Sequence, residues 1–199
     1  MSLKIGITGG IGSGKSIVCH LLALLGIPIY DSDSRAKALI NTSSIIKKQI
    51  MEQLNASLYK NHILDHALLA KLIFTDPSAL AKINAIVHPE VKYDFLLWEK
   101  QLSVKACAIE SAILFESKFD HIVDITLTVY APQSLRLQRA CTRDKTDQKT
   151  ILNRMNNQLS DDIKRDRSDY VIYNDDKNPL IPQVYHFLKF AKLLSSKKD

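Results

Sequence analysis

Leu3-Lys4-Ile5-Gly6-Ile7-Thr8-Gly9-Gly10-Ile11-Gly12-Ser13-Gly14-Lys15-Ser16 is the stretch that decides the fold of this chain of 199 residues. Leu3, Ile5 and Ile7 alternate with small or polar neighbours, as a short strand does, before the chain enters a run of glycines. Beyond the glycines, Val18, Leu21, Leu22 and Leu25 recur at helical spacing until Gly26 and Pro28 stop the helix. Between strand and helix, Gly9–Ser16 satisfies G-x-x-x-x-G-K-[ST], and this placement gives the pattern its weight. Glycines let the backbone turn left-handed and bring its N–H groups against phosphate oxygens with no Cβ in the way. The helix opening near Lys15 aims the positive end of its dipole at the same anion. Lys15 is therefore expected to bridge the β- and γ-phosphates of ATP and the Ser16 hydroxyl to ligate Mg²⁺. Gly10, Ile11, Gly12, Ser13, Gly14 and Ile17 complete the expected nucleotide-binding set.

Working outward, Ile27–Tyr30 reads as a second strand that ends at Asp31. From about 34 to 102 the pattern is helical almost throughout, too long for a simple crossover, and predicts an inserted helical lobe. Asp65 is placed to cap one helix and Asp76-Pro77 to start the next; Pro89 is expected to end that helix at His88, with a further helix from Glu90. Strand signals return at Ala106–Ile109, Ile122–Tyr130 and Tyr170–Tyr173, with helical segments between them. Such alternation predicts a parallel α/β sheet flanked by helices. Residues 144–168 are charged and polar with few large apolar side chains, so they are expected to bury little and to act as a mobile lid. The chain then divides into a nucleotide core (1–33, 103–139 and 169–199), the helical lobe (34–102) and a lid (140–168).

Composition narrows the class. With 46% hydrophobic and 24% charged residues the chain is built to fold. Its formal charge of +6 suits an anionic partner, although part of the excess sits in Lys189, Lys192, Lys197 and Lys198 near the end of the chain. No basic stretch is interleaved with aromatics as on a surface for single-stranded nucleic acid, so no nucleic-acid partner is expected. Cys19, Cys107 and Cys141 are far apart and read as buried free thiols in a reducing, cytoplasmic setting. The apolar run Leu21–Ile29 is too short to span a bilayer, and no membrane partner is expected. The absence of an N-K-x-D guanine motif and of an L-S-G-G-Q motif leaves a small-molecule kinase favoured over a GTPase or transporter ATPase. A nucleotide-switched regulatory module is the alternative from another class, separable by acceptor-dependent ATP turnover.

Two carboxylates, Asp31 and Asp33, follow the second strand at its carboxyl end, where open α/β sheets bind ligands. A carboxylate there can take the proton of an attacking hydroxyl, or both can cap the helix that begins near Ser34. Arg136, Arg139 and Arg143 share one helix face by their spacing. Taken alone they read as a solvated stripe. Glu110 ends a strand and suits either an acidic partner of Mg²⁺ or a helix cap.

Several further segments, in order and spacing, resemble the dephospho-CoA kinase family over nearly the whole chain. Ile7–Ser16 is similar to that family's phosphate loop, Leu25-Gly26-Ile27 with Asp31-Ser32-Asp33 to its L-G-x…D-A-D element, His88-Pro89 to its H-P, and Leu114-Phe115-Glu116 to its L-L-F-E. Arg139 and Arg143-Asp144 resemble its lid entry, Arg154 and Gln158 its R-x-x-x-Q, and Asp169–Asn174 its A-D-x-V-I-x-N. Ile17, Ser32, Ser111-Ala112 and Asp175 depart from the family pattern, but none removes a group that does chemistry. The resemblance implies a kinase that uses ATP and Mg²⁺ to phosphorylate the ribose 3′-hydroxyl of dephospho-CoA, the last step of coenzyme A synthesis. It implies Asp33 as base and acceptor contact, Lys15 and Arg139 as charge-stabilising groups, and Arg143 and Asn174 at the nucleotide; Lys37, just after the aspartate pair, is placed where a phosphate of the acceptor could pass, His88 suits equally a cap on helix carbonyls or a contact to the acceptor, and Arg136 keeps its reading as a solvated residue. The chain is expected to work as a monomer or weak homo-oligomer.

Overall fold

The computed structural model describes residues 2–60 and 63–194; the expectations placed on Lys197 and Lys198 lie outside the described residues. The chain divides into two compact units, one made of the chain up to Tyr30 and from Glu99 onward, the other of Asp31–Trp98.

The first unit opens with β1 (Leu3–Thr8) and α1 (Lys15–Leu24), after which β2 (Ile29–Asp31) runs into the second unit. In that unit α2 (Ser32–Thr42) and α3 (Ser44–Gln53) precede a short antiparallel pair, β3 (Tyr59–Lys60) and β4 (Ile63–Leu64), then α4 (His66–Thr75) and α5 (Pro77–Lys100). The chain returns through β5 (Ala106–Glu110), β6 (Ile125–Tyr130), α6 (Gln133–Asp144), α7 (Gln148–Asn156), α8 (Asp161–Arg167), β7 (Tyr170–Tyr173) and α9 (Leu180–Phe190). Five strands form one sheet in the order β2-β5-β1-β6-β7. β1 pairs in parallel with β5 on one side, Ile5 opposite Ala108, and with β6 on the other, Ile7 opposite Leu127. β7 pairs in parallel with β6. Because the strands are parallel, Thr8, Glu110, Tyr130 and Tyr173 all finish at the same edge of the sheet.

One face of this sheet is the core. Ile5 and Ile7, Leu127 and Val129, and Ile172 present alternate side chains to Val18 and Leu22 of α1 and to Val184, Phe187 and Leu188 of α9. On the opposite face Gly6 leaves room for Leu114 and Val123; a Cβ there would touch both at 3.0 Å. Cys19 and Cys107 are buried as free thiols, whereas Cys141 is only half-buried.

The second unit corrects one expectation and holds one element that the sequence did not announce. The helical pattern does not extend to the chain between α3 and α4: β3 and β4 form a hairpin, tied to α2 by Tyr59 Oη donating to the Ile40 carbonyl (2.8 Å) and Leu64 N–H donating to Asn41 Oδ1 (2.9 Å). Nor does Pro89 end a helix at His88, because α5 continues through it to Lys100. The reason is packing. Ile83, Val87, Val91 and Phe95, spaced four apart on both sides of the proline, are all buried, and that continuous apolar seam outweighs the single hydrogen bond which Pro89 denies the turn before it. The expected caps are in place: Asp65 accepts from Leu68 N–H (3.0 Å) and Asp76 from Ser78 N–H (2.8 Å).

Candidate active site

The phosphate loop between β1 and α1 is shaped by left-handed turns, with φ of 79° at Gly12 and 90° at Gly14. A side chain at Gly12 would also run into the Arg136 carbonyl oxygen, so glycine is required there on both counts. Ser13 N–H donates to the Gly10 carbonyl (3.1 Å), which closes the loop on itself. Gly14 is the N-cap of α1 and no side chain caps the helix. Lys15 and Ser16 stand in its first turn, where the positive end of the helix dipole favours an anion.

Three expected nucleotide residues meet around this loop. Asn174, one residue beyond β7, donates its Nδ2–H to the Ser13 carbonyl (2.8 Å), and its own N–H donates to the Tyr130 carbonyl (2.8 Å). Arg139 of α6 donates through Nη1 to the Asn174 carbonyl (2.9 Å) and pairs with Asp176 at 2.5 Å. Ser13, Asn174 and Arg139 therefore form one chain of bonds from loop to helix. Arg143, a turn further along α6, instead faces Asp144 at 2.7 Å, and Arg154 of α7 approaches the same carboxylate at 2.7 Å. Hydrogen bonds from Arg143 and then Arg154 hold the Asp144 carboxyl down at about 2.

Arg136 corrects its reading as a solvated residue. It is 7% exposed, with Nε–H donating to the Ala131 carbonyl (3.1 Å) and Nη1–H to the Ile11 carbonyl (3.3 Å). Helical spacing placed it on a face with Arg139 and Arg143 but carried no information on how deeply the start of α6 sinks beside the loop.

The segment 144–168 likewise buries more than its composition suggests. Ile151 and Met155 of α7 pack with Ala140, Leu137, Cys141 and Ile11 in a small cluster of their own. In α8, Lys164 is fully buried: its Nζ donates to the Ala112 carbonyl (2.6 Å) and faces Glu116 at 3.2 Å, and Glu116 also accepts from Leu159 N–H (2.8 Å). Leu114-Phe115-Glu116 was visible as a motif, but nothing in a run of alternating charges marks Lys164 as the one that goes inside. A cleft of about 260 Å³ opens between α6, α7 and α8, lined by Tyr130, Gln133, Arg136, Met155, Gln158 and Asp161 among others.

The remaining expected residues belong to the second unit. Asp31 is the N-cap of α2 and accepts from Asp33 N–H (3.0 Å), Ser34 N–H (3.0 Å) and Ser34 Oγ–H (2.6 Å). Burial pushes its carboxyl upward, but these bonds and the charge of Lys37 outweigh it and the net displacement is downward. Asp33 stands in the first turn of α2 and Lys37 one turn later. His88 lies mid-way along α5, half-buried, where burial and then the charge of Lys92 lower its pKa. Nearby, Arg35 grips Asp94 with two bonds of 2.9 and 2.7 Å that join α2 to α5.

Among the described residues no cluster of three or more His, Cys, Asp or Glu side chains could hold a metal. Mg²⁺ does not need one, since it keeps several waters and takes few protein ligands beside phosphate oxygens. The Ser16 hydroxyl in the uncapped first turn fits that need, and Glu110 ends β5 opposite Ile7 of β1. No helix among the described residues is long and apolar enough to cross a membrane.

Comparison with known proteins agrees with this geometry. The family model described as CoaE, dephospho-CoA kinase, matches residues 3–179. The chain is 41% identical to the dephospho-CoA kinase of Bacteroides fragilis strain YCH46, over 96% of this chain and 93% of that one. It is 42% identical to the dephospho-CoA kinase of Porphyromonas gingivalis, over 96% and 95%. Among solved structures it is similar to TT1252 from Thermus thermophilus, with a TM-score of 0.79, 32% identity, and coverage of 98% of this chain and 99% of that one. Dephospho-CoA kinase from Campylobacter jejuni shares the fold at a TM-score of 0.67 and 22% identity, over 96% of each chain.

Proposed function

The chain belongs to the dephospho-CoA kinase family, and from that premise we propose how its own residues move the γ-phosphoryl group of ATP to the ribose 3′-hydroxyl of dephospho-CoA. The observation that carries the reading is the phosphate loop itself: left-handed glycines opening on an uncapped helix that begins with Lys15 and Ser16. Backbone amides of the phosphate loop beyond Gly10 hold the phosphate oxygens, and Lys15 follows the transferring group with its charge. Ser16 would hold Mg²⁺, which when bound neutralises charge between the β- and γ-phosphates. Asn174 keeps the Ser13 peptide in place for this task. Arg139 spreads charge on the phosphates, and Arg143 leaves Asp144 to join it.

Asp33 receives the proton of the attacking hydroxyl. Asp31 is the poorer base of the two, since three hydrogen bonds and Lys37 hold its carboxyl in the ionised form. Lys37 takes a phosphate of the acceptor, and His88, whose burial disfavours the charged imidazolium, offers it hydrogen bonds. The reaction proceeds in the cytoplasm. ADP release measured against a panel of acceptors tests the assignment: dephospho-CoA should support turnover and nucleoside monophosphates should not, and the reverse preference would overturn it.

A further inference from the structure

Asp161 is the first residue of α8, yet it is 5% exposed and lies against the phosphate loop. Its carboxylate accepts from the Gly10 N–H and feels the charges of Arg136, Lys164 and Lys15. Arg136 approaches it at 3.0 Å through Nε, but that N–H points to the Ala131 carbonyl, so the contact is one of charge rather than a hydrogen bond. The other end of the same guanidinium holds the Ile11 carbonyl. A Cβ on Gly10 would collide with both Arg136 Nη1 and Asp161 Oδ1, so the pair is packed flat on the loop. One side chain grips the N–H that enters the Gly10-Ile11 segment and the other grips the C=O that leaves it.

We propose that Asp161 and Arg136 are positioning residues for phosphoryl transfer: as an ion pair bridging α8 and α6 they fix the Gly10-Ile11 backbone so that the amides beyond it point at the phosphates. Neither touches ATP. The inference rests on the reading of Gly9–Ser16 as the ATP phosphate site. A cradle of backbone amides acts by being oriented before the anion arrives, and misplacement of its entry by a fraction of an ångström costs affinity and rate together. Two adjacent acids in the sequence, Asp161-Asp162, give no sign that one goes inside while its neighbour stays at the surface.

The test combines calorimetric binding with steady-state kinetics on the full chain. Asp161→Asn keeps the shape but turns an amide N–H₂ towards the guanidinium, so ATP should bind roughly tenfold more weakly and kcat/KM for ATP should fall by that factor or more. Dephospho-CoA binding should stay within twofold of the parent. Adding Arg136→Gln makes the pair neutral and able to hydrogen-bond, and should recover most of the ATP affinity that Asp161→Asn loses. Where Asp161→Asn fails to fold, Arg136→Lys keeps the charge pair but gives up the fork to Ile11, and should show the same loss confined to ATP. Unchanged ATP affinity in the folded variants would overturn the proposal, as would an equal loss for both substrates with no recovery in the double variant. Lys15→Ala, run beside them, reads the underlying assignment separately: if it too binds and turns over ATP normally, the phosphate loop is not the ATP site.

Discussion

Asp33, the proposed base, is where the chemistry is tested most directly, because a ribose hydroxyl is a weak nucleophile until its proton has somewhere to go. Asp33→Asn keeps the size and much of the hydrogen bonding of the side chain but cannot take that proton. Phosphorylation of dephospho-CoA should fall by roughly a hundredfold or more while calorimetric ATP affinity stays at the parent value. Retained turnover would shift the role to Asp31 or leave the reaction without a base. The cap itself gives the control: Asp31→Asn still accepts from the amides of Asp33 and Ser34, and asparagine caps helices about as well as aspartate, so its turnover should remain within a fewfold of the parent. Lys15→Ala removes a charge that moves with the phosphoryl group and should cost several orders of magnitude in kcat; near-normal turnover would remove the loop from the active site.

At the scale of elements, α7 and α8 differ although both fall in the segment read from sequence as one lid. Among what holds α7 are Ile151, Met155 and the exposed Arg154–Asp144 pair. α8 is pinned along its length: Lys164 to Ala112 and Glu116, the Lys164 carbonyl to Thr128 Oγ1 (3.1 Å), Arg165 over the Tyr130 ring and Arg167 over the Phe115 ring. We therefore propose that lid closure, expected for 140–168, is confined to about 144–158, with the turn before Ser160 as its root. Hydrogen exchange with a non-hydrolysable ATP analogue should raise protection in α7 and leave α8 protected with or without it. Equal change in both helices would return the whole segment to the lid. Lys164→Met leaves Glu116 facing an apolar side chain and should lower stability by about 3 kcal/mol in urea unfolding, as removal of one partner of a buried pair does; Glu116→Gln added to it should restore part of that loss.

Over the whole molecule, what was legible in the sequence was whatever rests on local rules. Strand alternation, the glycine loop, helix stops and caps gave the parallel sheet and the left-handed loop between β1 and α1, because each depends on neighbours within a few residues. Pro89 was misread for the opposite reason, since the seam from Ile83 to Phe95 that carries α5 past it is a tertiary fact. Arg136, Asp161 and Lys164 stayed hidden because a buried charge and a solvated one look alike in a charged stretch. The division of labour between the two units can be read from stability. A ligand that binds only the folded state stabilises it by about 2.7 kcal/mol at a hundred times its Kd, which for a chain of this size is roughly 5–10 °C in Tm. Parent and Asp33→Asn should both show that rise with ATP, since the proposed base is assigned no part in holding the nucleotide. Lys15→Ala should lose most of the ATP shift yet keep the one produced by dephospho-CoA, whose expected contacts, Asp33, Lys37 and His88, all lie in Asp31–Trp98. Loss of both shifts in Lys15→Ala would mean that the acceptor depends on the phosphate loop for binding as well as for reaction, and the separation of nucleotide and acceptor sites between the two units would fail.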